Sequence, residues 1–226
     1  MKYIKLFEEY TRGDREMTLT NILNEYKVNG NIYDIKIPEL NKDEDWLFKQ
    51  LMATIDELYE NGISSDDYLN TDNWGKKENG DFAVFDIGFG DYFQHFIEEP
   101  KILKIEKDGS VIEQIKTLLN IEKSTYMGKG VFGFAHDIGD GKVLKITKDK
   151  TEAMNSQLIQ GKDMKHLANI YDIYQYDRRN KTWYVIILEK LEIDKNLPNI
   201  YKSLKSKFDN MINRHIDPII LTLVKR

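Results

Sequence analysis

The sequence predicts an α+β protein. Two observations carry that expectation. Between Ser124 and Leu188 the apolar residues follow the spacing of strands, interrupted by one helical stretch. On either side of this block, in residues 44–61 and 199–215, they recur at helical spacing instead.

The elements follow in order. Residues 1–43 mix charged and turn residues and read as an extension with a short strand at Ile32–Ile37. Leu47, Leu51, Ile55 and Leu58 predict a helix over 44–61, capped by Asp43 and stopped by Gly62. Ser64 to Asn73 is rich in turn residues. Phe82–Phe85 reads as a short buried strand ending at Asp86, and Val111, Ile112, Ile115, Leu118 and Leu119 predict an amphipathic helix over 111–120. Three strands are expected at Ser124–Met127, Phe132–Ile138 and Lys142–Thr147, the last two joined through the turn Gly139-Asp140-Gly141. A helix over Thr151–Gly161 follows, then strands Ile170–Tyr176 and Trp183–Leu188 around a turn at Asp177–Lys181. After Pro198 a helix from Asn199 to about His215 would pack Ile200, Leu204, Phe208 and Met211.

Composition narrows the function classes. The chain has 226 residues, 41% of them hydrophobic and 12% aromatic, which is the range of a globular protein able to bury a core. Its net charge of −5 argues against a nucleic-acid partner held by general electrostatics. There is no cysteine, hence no disulfide framework and no thiolate metal site. No apolar run reaches the length of a membrane span, and the opening Met1–Tyr10 is too charged for a signal peptide, so a cytoplasmic location without a membrane partner is expected. That opening resembles the N-termini of tailed-bacteriophage proteins. The four histidines lie scattered, without zinc-site spacing.

Two blocks of residues carry the chemistry. The first is the glycine-rich turn Gly128-Lys129-Gly130-Val131-Phe132-Gly133. In a dinucleotide-binding fold a helix would begin there. Here a strand and a tight hairpin follow, ending in Val143-Leu144-Lys145-Ile146. The second block lies earlier, with Asn73-Trp74-Gly75 and Phe85-Asp86-Ile87-Gly88 separated by a turn and a short apolar strand. Asn73 and Asp86 are thirteen residues apart.

Together these stretches resemble the protein-kinase-like superfamily, and they stand in reversed order. In that family the glycine turn and strand lysine open the domain, and the asparagine and Asp-x-Gly aspartate come later. The likeness implies a circularly permuted, minimal or atypical two-lobed kinase-like fold with a five-stranded antiparallel small lobe and a reduced helical large lobe. Residues 1–43 would be an N-terminal extension, and 44–105 a large-lobe segment with catalytic and metal-binding loops. Residues 106–192 would form the small-lobe segment, and 193–226 large-lobe helices. His166-Leu167-Ala168-Asn169-Ile170 is similar to the opening of the family's fourth strand, and Val185–Leu191 to its fifth strand and hinge.

The resemblance also implies roles. Gly128, Gly130 and Gly133 would let the backbone close over ATP phosphates, and Lys145 would neutralise phosphate charge. Glu152 would hold Lys145, although it lies only seven positions further on, a shorter interval than most members have. The backbone around Glu189–Leu191 would pair with adenine. Leu144 stands beside Lys145 where a small residue is usual, which would narrow the adenine slot. Asn73 and Asp86 would ligate Mg2+ with oxygen donors. Asp67 would be the catalytic base, with Asp66 as fallback, while Ser65 and Asp66 occupy the family's His and Arg positions.

The expected reaction is transfer of the γ-phosphoryl group of ATP to a hydroxyl on an unknown acceptor, protein or small molecule. The alternative is a pseudokinase-type nucleotide-binding or interaction module without catalysis. Whether the two blocks meet within one chain or between two chains of a segment-exchanged homodimer is left open by the order of the motifs.

Overall fold

The computed structural model describes residues 39–63, 70–88, 96 and 98–215. The expected strand at Ile32–Ile37 lies outside them, as do Ser65, Asp66 and Asp67. Among the described residues the protein is α+β, with four helices and sheets of two and six strands. The chain divides into two units: residues up to Met52 together with those from Lys195 onward, and Ala53–Asp194. Helix α1 (Lys42–Glu60) runs across that division.

In the first unit, the start of α1 and helix α4 (Leu197–His215) bury Leu47, Leu51, Leu197 and Leu204. Asn41 caps α1, not Asp43. Its Oδ1 accepts from the amides of Asp43 and Glu44, both at 3.0 Å, and its own amide donates to Glu44 Oε2 at 2.8 Å. That reciprocal pair satisfies donors a helix start leaves open, which Asp43 one residue inside the end could not do. Glu44 is buried and also accepts from Ser203 Oγ at 2.6 Å and from the Lys207 ammonium. The hydrogen bond from Lys207 is the main reason its pKa falls to about 2.

In the second unit, α1 ends as expected at Gly62, whose φ of +70° suits a residue without Cβ. Ile63 N–H donates to Leu58 O at 2.9 Å, and both side chains are buried. The small sheet pairs β1 (Trp74–Lys76) with β2 (Phe82–Val84), antiparallel. The large sheet runs in the order β3-β7-β8-β6-β5-β4. Its members are β3 (Lys101–Ile102), β4 (Thr125–Lys129), β5 (Gly133–Gly139), β6 (Lys142–Thr147), β7 (Ile170–Arg178) and β8 (Lys181–Glu189).

Five of these strands are the expected antiparallel set. The sixth, β3, is a two-residue parallel addition beside β7. It satisfies part of an edge that β7 would otherwise leave open. Strands β7 and β8 run two residues further than expected, because Arg179 and Asn180 both adopt positive φ (54° and 58°) and close the hairpin in two residues.

One face of the sheet carries Leu144, Ile146, Tyr176, Val185 and Ile187, packed with Leu103 and with Ile115 of helix α2 (Val111–Leu119). Lys145, one position along β6, points to the other face. The residues opposite it in the ladder are Ala135 and Ile186. Helix α3 (Lys150–Ile159) joins β6 to β7.

Candidate functional site

Lys145 comes to its position because β6 is a central strand, flanked by β5 and β8. Its ammonium meets Asp86 Oδ2 at 3.0 Å and also pairs with Glu152 Oε1. Residues from the two separate sequence blocks therefore converge within one chain.

The short interval from Lys145 to Glu152 has a structural explanation. The strand ends at Thr147, and Asp149 caps α3 directly, accepting from the amides of Thr151 at 2.8 Å and Glu152 at 3.2 Å. Glu152 thus stands in the first turn of the helix and reaches back to a lysine near the strand end. No longer connection is needed.

Asp86 is set by β2. Val84 N–H donates to His166 O at 3.0 Å, and Val84 O accepts from Ala168 N–H at 2.8 Å. Phe85 N–H donates to Asn73 O at 2.9 Å, so Asn73 lies directly across from the residue preceding Asp86. The loop that holds β2 is itself held by Glu57 of α1, which accepts from the amides of Lys165 (2.8 Å) and His166 (2.6 Å). After Asp86 the chain turns against α3. Asn155 Nδ2 donates to Ile87 O at 2.6 Å, and a Cβ on Gly88 would stand 2.6 Å from Asp149 Oδ2.

Electrostatically the site carries an excess of negative charge. Burial disfavours the Lys145 ammonium, but the Glu152 and Asp86 carboxylates outweigh it and push its pKa up to about 12. Glu152 is only 5% exposed. Burial raises its pKa to about 7, with Asp86 and Asp149 adding to the rise and Lys145 opposing it. Among the described residues no three His, Asp or Glu side chains form a group that could hold a metal by themselves.

The glycine turn connects β4 to β5, with Gly130 N–H donating to Gly133 O at 2.9 Å. The three glycines differ. A Cβ on Gly133 would fall 1.8 Å from Ile146 O, so this glycine is needed for β5 to approach β6. Nothing lies within 4 Å of a Cβ on Gly128 or Gly130. Val131 and Phe132 at the turn are exposed.

The Glu189–Leu191 segment is heavily engaged. Glu189 N–H donates to Asn169 O at 2.8 Å, Lys190 N–H to Gly141 O at 2.7 Å, and Glu192 N–H to Lys76 O at 2.8 Å. The Glu189 carboxylate pairs with Lys77 at 3.0 Å and accepts from Asn169 N–H at 3.1 Å. Leu191 is buried, and a Cβ on Gly75 would overlap its own Cβ at 2.4 Å. Leu144 does not narrow a slot beside Lys145. It lies in the core cluster on the opposite face of β6, since adjacent strand residues alternate.

Several residues of this arrangement were not singled out from sequence. Asp149 had a signal, because Asp-x-x-Glu before a helix is a capping pattern. Gly88 belongs to the Asp-x-Gly stretch. Buried Lys77, which also donates to Met164 O, and Asn155 had none, being single polar residues whose partners lie 87 and 68 positions away. The chain matches no protein-family model, no curated protein and no solved structure.

Proposed function

We propose that the chain is a minimal, circularly permuted kinase-like phosphotransferase that binds ATP with Mg2+. The observation that carries this reading is the Lys145 ammonium held between Glu152 and Asp86, whose segments come from opposite halves of the sequence. Their meeting inside one chain favours a site closed by a single molecule over segment exchange between two. Five antiparallel strands of the six-stranded sheet, with a helix between the third and fourth of them, support the small lobe that the resemblance implies, while the parallel strand β3 is an addition to it.

The strand register suits a nucleotide laid along β6. Glu189 pairs with Lys142, Ala135 with Lys145, and Gly133 with Thr147. Glu189 is therefore about 10 Å from Lys145 along the strand, at roughly 3.3 Å per residue, with the glycine turn beyond the lysine at the other end. A base beside Glu189–Leu191 could not pair with the Glu189 and Lys190 amides, which already donate to Asn169 and Gly141, but lying there it would leave its phosphates at Lys145 and the turn.

Lys145 would offset phosphate charge and Glu152 would hold it in place. Asp86 and Asn73 supply hard oxygen donors, and the surplus of carboxylate over ammonium fits a divalent cation that completes its shell with phosphate and water. Such an ion would neutralise charge on the transferred group. The new bond joins the acceptor oxygen to the γ-phosphorus, the bond to the β-phosphate oxygen breaks, and the acceptor proton passes to a base, for which Asp67 is the candidate.

The test is ATP consumption by the wild type beside Asp86→Ala and Lys145→Ala. Loss in both variants is expected, and equal activity in all three proteins removes the mechanism. A second reading, a nucleotide-binding module without catalysis, is favoured by Ser65 and Asp66 at the family's His and Arg positions and by the six-residue interval from Asp67 to Asn73. Thermal stabilisation by Mg-ATP without turnover would select it.

A further inference from the structure

We propose that Asn155 is a positioning residue, the anchor by which helix α3 sets the place of Asp86. The proposal rests on the phosphotransferase reading for its functional consequence, but the anchoring itself is a matter of geometry.

Asn155 is 1% exposed, and its amide donates to the carbonyl of Ile87, the residue after Asp86. A buried amide is costly unless its hydrogen bonds are made, so the side chain holds that carbonyl specifically. One residue further on, the backbone at Gly88 runs so close to the helix that a Cβ there would stand 2.6 Å from Asp149 Oδ2 and 3.2 Å from Glu152 Cβ. The Asp86-Ile87-Gly88 segment is thus held by the first turns of α3 and not only by the strand that precedes it.

The same helix face carries Glu152, three residues before Asn155. Glu152 grips Lys145, and Lys145 grips Asp86. The contacts form a closed circuit, from Asp86 to Lys145 to Glu152, along α3 to Asn155, and through Ile87 back to Asp86. A rotation or slide of α3 that withdraws Glu152 from the lysine also withdraws Asn155 from Ile87. An apolar side chain of similar size at 155 would fill the space yet let the segment slide along the helix.

The experiment compares full-length wild type with Asn155→Leu and Asn155→Gln. Backbone hydrogen exchange is followed at 86–88, and ATP turnover is measured as kcat and KM separately. For Asn155→Leu, exchange at 86–88 should quicken about 10-fold while the β5–β6 amides keep their protection. Its kcat should fall about 10-fold or more with KM for ATP within about 2-fold, as expected for a misplaced group at the reacting centre. Asn155→Gln keeps the donor and should recover part of both.

If Asn155→Leu does not fold, Gly88→Ala loads the same joint from the other side and should show the same local exchange. Unchanged exchange at 86–88 overturns the anchor, and raised exchange with unchanged kcat overturns the positioning role. Raised local exchange in a protein whose wild type consumes no ATP upholds the anchor and removes the phosphotransferase reading instead.

Discussion

Replacing Lys145 with Met tests the charge balance of the site directly. The methionine keeps most of the side-chain volume and removes the ammonium, leaving Glu152 buried beside Asp86 with no cation. Breaking a buried pair in this way costs about 3–5 kcal/mol when the remaining charge stays in place. Glu152 can avoid much of that by taking up a proton, and this makes the cost depend on pH.

The sign follows from proton uptake. Glu152 has a pKa of about 7 in the folded protein, against 4.5 for an unperturbed carboxyl. Between those values the folded state binds more protons than the unfolded one, so stability falls as pH rises. From pH 6 to pH 8 the wild type should lose on the order of 1 kcal/mol through this residue, since protonation ceases to help above about 7. In Lys145→Met the cation that opposes the rise is gone, so the carboxyl holds its proton to higher pH and the loss over the same interval grows, up to a limit of about 3 kcal/mol for one proton over two pH units.

The assay is urea unfolding at both pH values, with Lys145→Met/Glu152→Gln as the control that removes the titrating group. The single variant should be more pH-sensitive than the wild type by on the order of 1 kcal/mol, and the double variant less sensitive than either. Equal pH slopes in wild type and single variant would refute the account of a buried carboxylate balanced by Lys145.

Other outcomes follow from particular contacts. Gly133→Ala should destabilise by about 2–3 kcal/mol in thermal or urea unfolding, because the Ile146 carbonyl at 1.8 Å belongs to the backbone and cannot swing aside. Gly130→Ala meets nothing within 4 Å and should leave stability within about 0.5 kcal/mol, so any loss of Mg-ATP binding in that variant reports on the ligand. Lys77→Met should cost about 3 kcal/mol in urea unfolding by stranding the Glu189 carboxylate. Glu44, with its pKa held at about 2, stabilises the fold above pH 4.5 and loses that contribution as pH falls toward 2; Glu44→Gln should flatten the acid limb of the stability curve over that interval.

Much of the local structure was legible in the order of residues, because its causes are local. The Leu47–Leu58 spacing, the αL glycine at 62 and the Gly-Asp-Gly hairpin each follow from neighbours within a few positions. One local expectation failed at the start of α1, which Asn41 caps and Asp43 does not, because Asp43 already lies inside the helix. The alternation that turns Leu144 away from Lys145 was also readable in principle, since the strand itself was recognised.

What sequence alone determined about this protein is therefore its periodicities, its turns and the two blocks of glycine, lysine, asparagine and aspartate residues. Only the tertiary structure decided that Lys145 and Asp86 share one site, that Glu189 is occupied by Lys77, and that Asn155 reaches Ile87. The reason is physical. Such contacts join residues tens of positions apart, and a buried ion pair or hydrogen bond leaves no periodic trace in the chain that could announce its partner.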